Sequence, residues 1–256
     1  MTSGLFDLAG KVALVTGSSR GIGKAIAEAM ATHGATVVIS GRKRETCAPV
    51  AEAIRAAGGK AVAIACNISN LPELDQLVAE TLRQCGRIDI LVCNAAVNPH
   101  FGPLAEVTES AYDKTMDTNV KSNLWLCHKV LPAMAERRDG VVIVVSSIAG
   151  LKGTARLGLY ALSKAADFQL TRNLAVEWGR HNIRANCIAP GIIRTEFSRK
   201  LWEDPETLQR AVAGYPIGRV GDPDDIAGIA VMLASRAGAF ITGQVIVADG
   251  GMTIAG

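Results

Sequence analysis

A chain of 256 residues that is 49% hydrophobic, with a mean hydropathy of +0.23, has enough material for one α/β domain whose sheet is buried on both faces. A net charge of +3, spread along the sequence, is too mild to argue for nucleic acid, and no apolar run reaches the roughly 18 residues of a membrane span. Six cysteines without a C-x-x-C pair and four scattered histidines offer no metal spacing, so the thiols are expected to be reduced core residues.

Strand-like and helix-like segments then alternate, the pattern of a parallel sheet covered on both sides. Strands are predicted near 11–16, 36–40, 60–65, 88–93, 141–145, 183–188 and 244–248. Helices are predicted near 21–33, 44–57, 70–85, 108–138, 158–180, 196–213 and 222–235. Asn70 with Pro72, Thr108, and Asp222 with Pro223 mark helix starts; Gly34 and Gly140 follow helix ends. There are no repeats, no low-complexity tracts and no Pro/Gly-rich linker, so one domain over 1–256 is expected.

The first strand runs into Gly17-Ser18-Ser19-Arg20-Gly21-Ile22-Gly23 and then a helix. Such glycines permit a tight turn and let backbone approach a pyrophosphate, while the helix N-terminus offers N–H donors and positive dipole. The second strand ends Ile39-Ser40-Gly41-Arg42. An NAD site places an acid there for the ribose hydroxyls; here the place is Gly41, an arginine follows, and Arg20 sits in the glycine loop. Two guanidiniums near one 2′-phosphate point to NADP(H), each adding roughly 1.5–3 kcal/mol; the alternative is that Arg42, Lys43 and Arg44 form a solvated helix start. Asn94-Ala95 ends the fourth strand, where the strand order of such a sheet reverses and ligands settle; a turn residue is the plainer reading of Asn94.

The chemistry lies further on. Tyr160 and Lys164 are four apart in a predicted helix and share one face. A phenol ionises near pH 10, and an ammonium fixed beside it is expected to draw that value down towards the working range. Ser147 closes the run 141–145, where a hydroxyl is placed to hold a substrate oxygen. The group is a device for moving a proton on or off an alcohol or carbonyl oxygen; the plainer alternative is a packed aromatic and a solvated lysine.

Taken together, Thr16-Gly17-x-x-x-Gly21-x-Gly23, Asn94-Ala95-Ala96, Asn119, Ser147, Tyr160-x-x-x-Lys164 and Pro190-Gly191-x-x-x-Thr195 resemble the short-chain dehydrogenase/reductase family over essentially the whole chain. Ala96 stands where most members have glycine, and Asn67 where most have aspartate. The resemblance implies a Rossmann-type, doubly wound, seven-stranded parallel sheet with helices on both faces. It implies that Ser147 orients the substrate oxygen, Tyr160 transfers the proton, and Lys164 tunes the tyrosine and binds the nicotinamide ribose. Asn119 would distort its helix so that water links Lys164 to solvent. Cofactor contacts would come from Gly17, Ser19, Arg20, Gly21, Ile22, Gly23, Arg42, Asn67, Ile68, Asn94, Ala95, Tyr160, Lys164, Pro190, Gly191, Ile193 and Thr195, with Asn67 meeting the adenine amino group and Thr195 the carboxamide.

By the same resemblance, a segment of about 194–215 covers the active site. Phe197, Leu201, Trp202 and Tyr215 read as apolar walls for an aromatic or alkyl ketone, so an NADP(H)-dependent carbonyl reductase is expected. Arg194, Arg199 and Lys200 keep a 3-oxoacyl thioester reductase open, its partner an acyl carrier; a cofactor-binding sensor without chemistry is a third reading. The start of the chain lacks a signal pattern and its end is not a Ser-Lys-Leu type address, so a cytoplasmic location is expected. The apolar stretch 238–252 forms an edge strand that needs cover, which the family supplies by pairing subunits: a homotetramer, or failing that a dimer.

Overall fold

The computed structural model describes residues 4–255; residues 1–3 and 256 of the expected domain lie outside the described residues. The strands are β1 (Val12–Thr16), β2 (Thr36–Gly41), β3 (Lys60–Ala65), β4 (Ile90–Cys93), β5 (Gly140–Val145), β6 (Ile183–Pro190) and β7 (Val245–Ala248). They pair in one seven-stranded sheet of order β3-β2-β1-β4-β5-β6-β7, parallel at every step. Buried β-branched and aliphatic runs such as Val-Val-Ile-Val-Val at 141–145 form strands because both of their faces meet apolar side chains.

Alternation along each strand divides the core into two layers. Ala13, Val15, Val37, Ile39, Ile90, Val92, Val141 and Ile143 pack against α1 (Gly21–Thr32), α2 (Arg44–Ala56) and α8 (Pro223–Ala234). Leu14, Val38, Leu91, Cys93, Val142 and Val144 pack against α3 (Leu71–Cys85), α5 (Ser122–Arg137) and α6 (Gly158–Trp178). The caps agree with the residue types. Thr108 accepts a hydrogen bond from the Ala111 amide, Asp222 and Asp225 form a capping box, and Gly34 closes α1 at φ +98. Asn70 occupies its N-cap without a side-chain cap bond.

Two helices differ from expectation. The helix at 108–138 is broken in its middle: α4 (Glu109–Met116) passes through a π-turn at Asp117–Lys121 before α5 resumes. The helix at 196–213 shrinks to α7 (Pro205–Val212). The residue before a proline resists helical backbone and a proline suits the first helical position, so Pro205 starts a helix and ends what precedes it. Residues 196–204 are turns with one short 3₁₀ stretch at Arg199–Leu201.

All six cysteines are free, five of them buried and Cys85 partly exposed. Burial pushes the Cys66 and Cys187 thiols up to about 12. A thiol-specific disulfide reagent at pH about 8 is therefore expected to label at most Cys85 rapidly in native protein, and all six thiols after denaturation. Rapid labelling of three or more native thiols contradicts this packing.

Candidate active site

The strand order reverses between β1 and β4, and the loops that leave these two strands meet beyond their carboxyl ends, the place where such sheets bind ligands. Gly17 and Gly21 take φ of +64 and +56, the left-handed region that favours glycine. A Cβ at Gly23 would lie 2.4 Å from the Asn94 amide nitrogen and 2.6 Å from the Gly17 carbonyl oxygen, so helix and loop approach as closely as glycine allows. The start of α1 has no side-chain cap and no acid in its first turn. Its N–H groups and positive dipole end are left for an anion, and the residues fit the diphosphate of a dinucleotide.

Asn94 braces this cradle. Its amide donates to the Thr16 and Gly17 carbonyls at 2.9 and 3.2 Å, while the Asn94 and Ala95 backbone N–H groups donate to the Thr16 hydroxyl at 3.0 and 3.2 Å. Ser18, fully buried, donates to the Val15 carbonyl and accepts from the Ser40 amide. A Cβ at Gly41 would meet Ser19 Oγ and Cys47 Sγ at 3.2 Å. Arg42 is exposed and carries no ion pair among the described residues, whereas Arg20 pairs with Glu196 of the segment after β6. Asn67 holds its own turn: its side-chain oxygen accepts from the Ser69 amide at 3.3 Å and its backbone N–H donates to Glu73, with Ile68 buried beside it.

The loop after β6 closes the opposite side. Gly191 donates to the Ala248 carbonyl at 2.9 Å, and a Cβ there would lie 2.9 Å from Asp249 Cα. Ile193 is buried, and the Thr195 methyl lies 3.2 Å from the Cβ direction of Gly21, so this loop meets the glycine loop. Trp202 donates its indole N–H to the Thr195 carbonyl at 3.1 Å. Tyr215, read from the sequence as an apolar wall, is instead buried with its hydroxyl accepting from the Ile192 amide at 3.0 Å. It fastens the loop.

Ser147 follows β5, and Tyr160 lies in the first turn of α6. The Ser147 oxygen accepts from the Ala149 amide at 3.1 Å, so its hydroxyl can donate towards the Tyr160 oxygen. The Lys164 ammonium, 2% exposed, sits 5.7 Å from the Tyr160 ring centre. It donates to the Val145 carbonyl at 3.0 Å and to Asp167 at 3.2 Å. Burial pulls the Lys164 pKa down, but the Asp167 carboxylate, helped by Tyr160, holds it above the ordinary lysine value.

The tyrosine behaves otherwise than the sequence suggests. Burial outweighs the pull of Lys164, and Asp167 opposes that pull, so the Tyr160 pKa lies above its ordinary value; a hydrogen bond with Ser147 works the other way. The spacing of Tyr160 and Lys164 reveals the ammonium but not its counter-ion.

Asn119 is fully buried in the π-turn. Its side chain accepts from the Val97 amide at 2.8 Å and donates to the Val97 carbonyl and the Ser163 hydroxyl, both at 3.0 Å. The extra residue of a π-turn leaves backbone carbonyls without their usual helical donor, and Asn123 supplies one, donating to the Asn119 carbonyl at 2.6 Å. Three residues here escaped the sequence reading: Asp167, Asn123 and Glu196. Asp167 lies three after Lys164 on a helix, a spacing that brings side chains together and was the one available signal.

The family model described as enoyl-(acyl carrier protein) reductase matches residues 17–253. The chain is 44% identical over 244 residues to dehydrogenase/reductase SDR family member 4 of Oryctolagus cuniculus, covering 95% of this chain and 94% of that one. It is 43% identical over 244 residues to the protein of the same name from Homo sapiens, covering 95% and 88%. The chain belongs to the short-chain dehydrogenase/reductase family. Among solved structures, a gluconate 5-dehydrogenase from Burkholderia cenocepacia in complex with NADP and tartrate superposes with a TM-score of 0.94 at 32% identity, over 99% of each chain. A 7α-hydroxysteroid dehydrogenase complexed with NADH and 7-oxo glycochenodeoxycholic acid also gives 0.94, at 36% identity, over 98% of this chain and 97% of that one. As a short-chain dehydrogenase/reductase the protein is an oxidoreductase, and the Rossmann cradle, the switch-point crevice and the buried polar cluster occur together within it.

Proposed function

We propose that the protein reduces apolar or aromatic ketones with NADPH in the cytoplasm, with Tyr160 as proton donor, Ser147 and Tyr160 holding the substrate oxygen, and Lys164 and Asn119 behind them. The observation that carries this reading is the buried Lys164 ammonium lying 5.7 Å from the Tyr160 ring. Glycine-loop residues Gly17, Ser19, Arg20, Gly21, Ile22 and Gly23 would hold the diphosphate, and Arg42 the 2′-phosphate. Asn67 and Ile68 would border the adenine; Asn94 and Ala95 the nicotinamide ribose with Tyr160 and Lys164; and Pro190, Gly191, Ile193 and Thr195 the carboxamide. Bound NADPH supplies the hydride. A Tyr160 phenol that keeps its proton at neutral pH is in the state that protonates a carbonyl oxygen during reduction. Ser147, whose hydroxyl faces Tyr160, would donate to the same oxygen.

Segment 194–215 would cover the site. Support for an apolar substrate comes from Phe197, 60% exposed with its ring 6.1 Å from that of Tyr160, and from exposed Phe101, Leu104, Leu151 and Leu201 on neighbouring loops. The description of the matching family keeps an acyl thioester as second reading. Its basic rim is largely neutralised: Arg194 faces Asp222 and stacks on Trp202, and Arg199 pairs with Glu203.

The reading of a homotetramer is supported by what is left uncovered. β7 is the sheet edge, with Phe240 fully exposed and Val247 and Ile254 open to solvent; on α6, Leu162 and Val176 are exposed as well. Apolar surface of this kind asks for a partner, and two perpendicular two-fold axes would cover both faces.

Tyr160→Phe is expected to keep the fold and NADPH binding while losing on the order of 10²–10⁴-fold in turnover, followed by NADPH absorbance over a panel of ketones. More than about a tenth of the wild-type rate would assign the proton to another group.

Arg42→Ala combined with Gly41→Asp is expected to shift preference from NADPH towards NADH by roughly 10- to 100-fold in kcat/KM, about 1.4–2.8 kcal/mol. The new Cβ meets only yielding side-chain atoms. A wild-type enzyme that already prefers NADH would overturn the cofactor reading.

In light scattering, the protein is expected to report a multiple of the 26.8 kDa chain, four chains on the tetramer reading. A stable, active monomer at micromolar concentration excludes the assembly.

A further inference from the structure

Beneath the tyrosine lies a carboxylate that the reaction as described does not use. Asp167 is fully buried. One oxygen faces the Lys164 ammonium at 3.2 Å and the other accepts from the Asn123 amide at 3.0 Å. Asn123 is itself buried, and its second amide hydrogen goes to the Asn119 carbonyl in the π-turn. One chain of bonds thus runs from the π-turn through Asn123 and Asp167 to Lys164, and Lys164 is fixed again by the end of β5.

We propose that Asp167 is a positioning residue of the proton-transfer group: its buried carboxylate, held by Asn123, anchors the Lys164 ammonium and sets the pH at which the Tyr160–Lys164 pair gives up its proton. This rests on the assignment of Tyr160 and Lys164 as that pair.

Every element packed around Asp167 contributes to the balance. Its own helix brings Tyr160 and Lys164, β4 brings Cys93, α5 brings Asn123 and Cys127, the end of β5 brings Ser146, and β6 brings Cys187. Burial holds the Cys187 thiol at about 12, and Cys93, hydrogen-bonded to the Cys127 thiol and buried, is raised well above the ordinary value. Both thiols stay neutral at working pH. Burial raises the Asp167 carboxyl above its ordinary value, while the Lys164 charge and the bonds from Lys164, Asn123 and Ser146 act to keep it ionised; the charges weighed in the cluster are this carboxylate and the ammonium.

The sign follows from the pair as a whole. Loss of one proton from Tyr160 plus Lys164 leaves them one unit less positive, whichever group releases it. A carboxylate alongside opposes that loss. Removing its charge makes the proton easier to lose, so the pair ionises at lower pH, whether the product is phenolate beside ammonium or phenol beside amine.

The experiment measures kcat/KM for reduction of the best ketone of the panel, with NADPH, from pH about 6 to about 10, for wild type, Asp167→Asn, Asp167→Ser and Asp167→Glu. Urea unfolding of each variant accompanies the kinetics. The alkaline limb is expected to move to lower pH by about one unit or more in Asp167→Asn and Asp167→Ser, and to stay near wild type in Asp167→Glu, which keeps the charge. Asp167→Ser carries the test if Asp167→Asn does not fold, since its hydroxyl still bonds within the cluster. A limb unmoved in the folded neutral variants, even with lower stability or rate, overturns the proposal and leaves Asp167 a packing residue. Failure of the underlying assignment reads out separately, as Tyr160→Phe retaining activity with the Asp167 variants unexamined.

Discussion

A positive charge held where water does not reach is the constraint that the rest of this molecule serves. An ammonium taken into a dry interior loses its hydration, and a buried pair survives only with good geometry and further hydrogen bonds. Lys164 meets both terms: a carbonyl at the end of β5, and a carboxylate one helical turn on. The carboxylate needs a second donor, which is Asn123, and Asn123 is within reach because the π-turn re-aims the residues around Asn119. Breaking such a pair by removing one partner costs about 3–5 kcal/mol, so these residues constrain one another as a set. The sheet supplies the frame, since β4, β5 and β6 each end beside this cluster.

Rigid parts and close approaches then divide the work along the crevice. On the β1 side the contact is between backbone and two short polar side chains, those of Asn94 and Thr16. Gly23 rests on the Gly17 carbonyl, and Asn94 and Ala95 tie the loops of β1 and β4 together with four hydrogen bonds, three of them from Asn94. Asn94 and Thr16 thus keep the glycine loop open in the shape an anion requires, whatever they touch directly. On the β6 side the cover is made of side-chain contacts. Tyr215 pins Ile192, Trp202 holds the Thr195 carbonyl, and Arg20 reaches over to Glu196. Phe197 and Leu201 stay exposed on this segment.

Much of this was legible in the chain. The strands lie within about two residues of their predicted places, because runs such as Val37-Val38-Ile39 and Val141–Val145 have no other way to bury both faces. Tyr160 and Lys164 share a face as their spacing required. What escaped was long-range or depended on burial. The helix expected at 196–213 fails because apolar periodicity does not register that Pro205 begins a helix and cannot lie inside one. Asp167 reads as one more polar helix position until α6 is packed on the sheet. The tyrosine was expected to be acidified by its lysine, yet desolvation is invisible in sequence and here it is the larger effect.

The two arginines at the cofactor end differ in a way that composition hides. Arg20 already has a carboxylate partner in Glu196, with both side chains more than half exposed. An exposed pair of this kind is worth about 0–1 kcal/mol, so a phosphate that offered Arg20 a bidentate contact would displace Glu196 at little cost. Arg42 has no such partner among the described residues and stands beside Gly41, where a carboxylate would otherwise repel a phosphate. On the NADP(H) reading, discrimination against the unphosphorylated cofactor therefore rests mainly on Arg42 and on the absence of charge at Gly41. Arg20 has a different part. On that reading its exchange of Glu196 for a phosphate would leave the packing of Thr195 on Gly21 as the contact between the two loops.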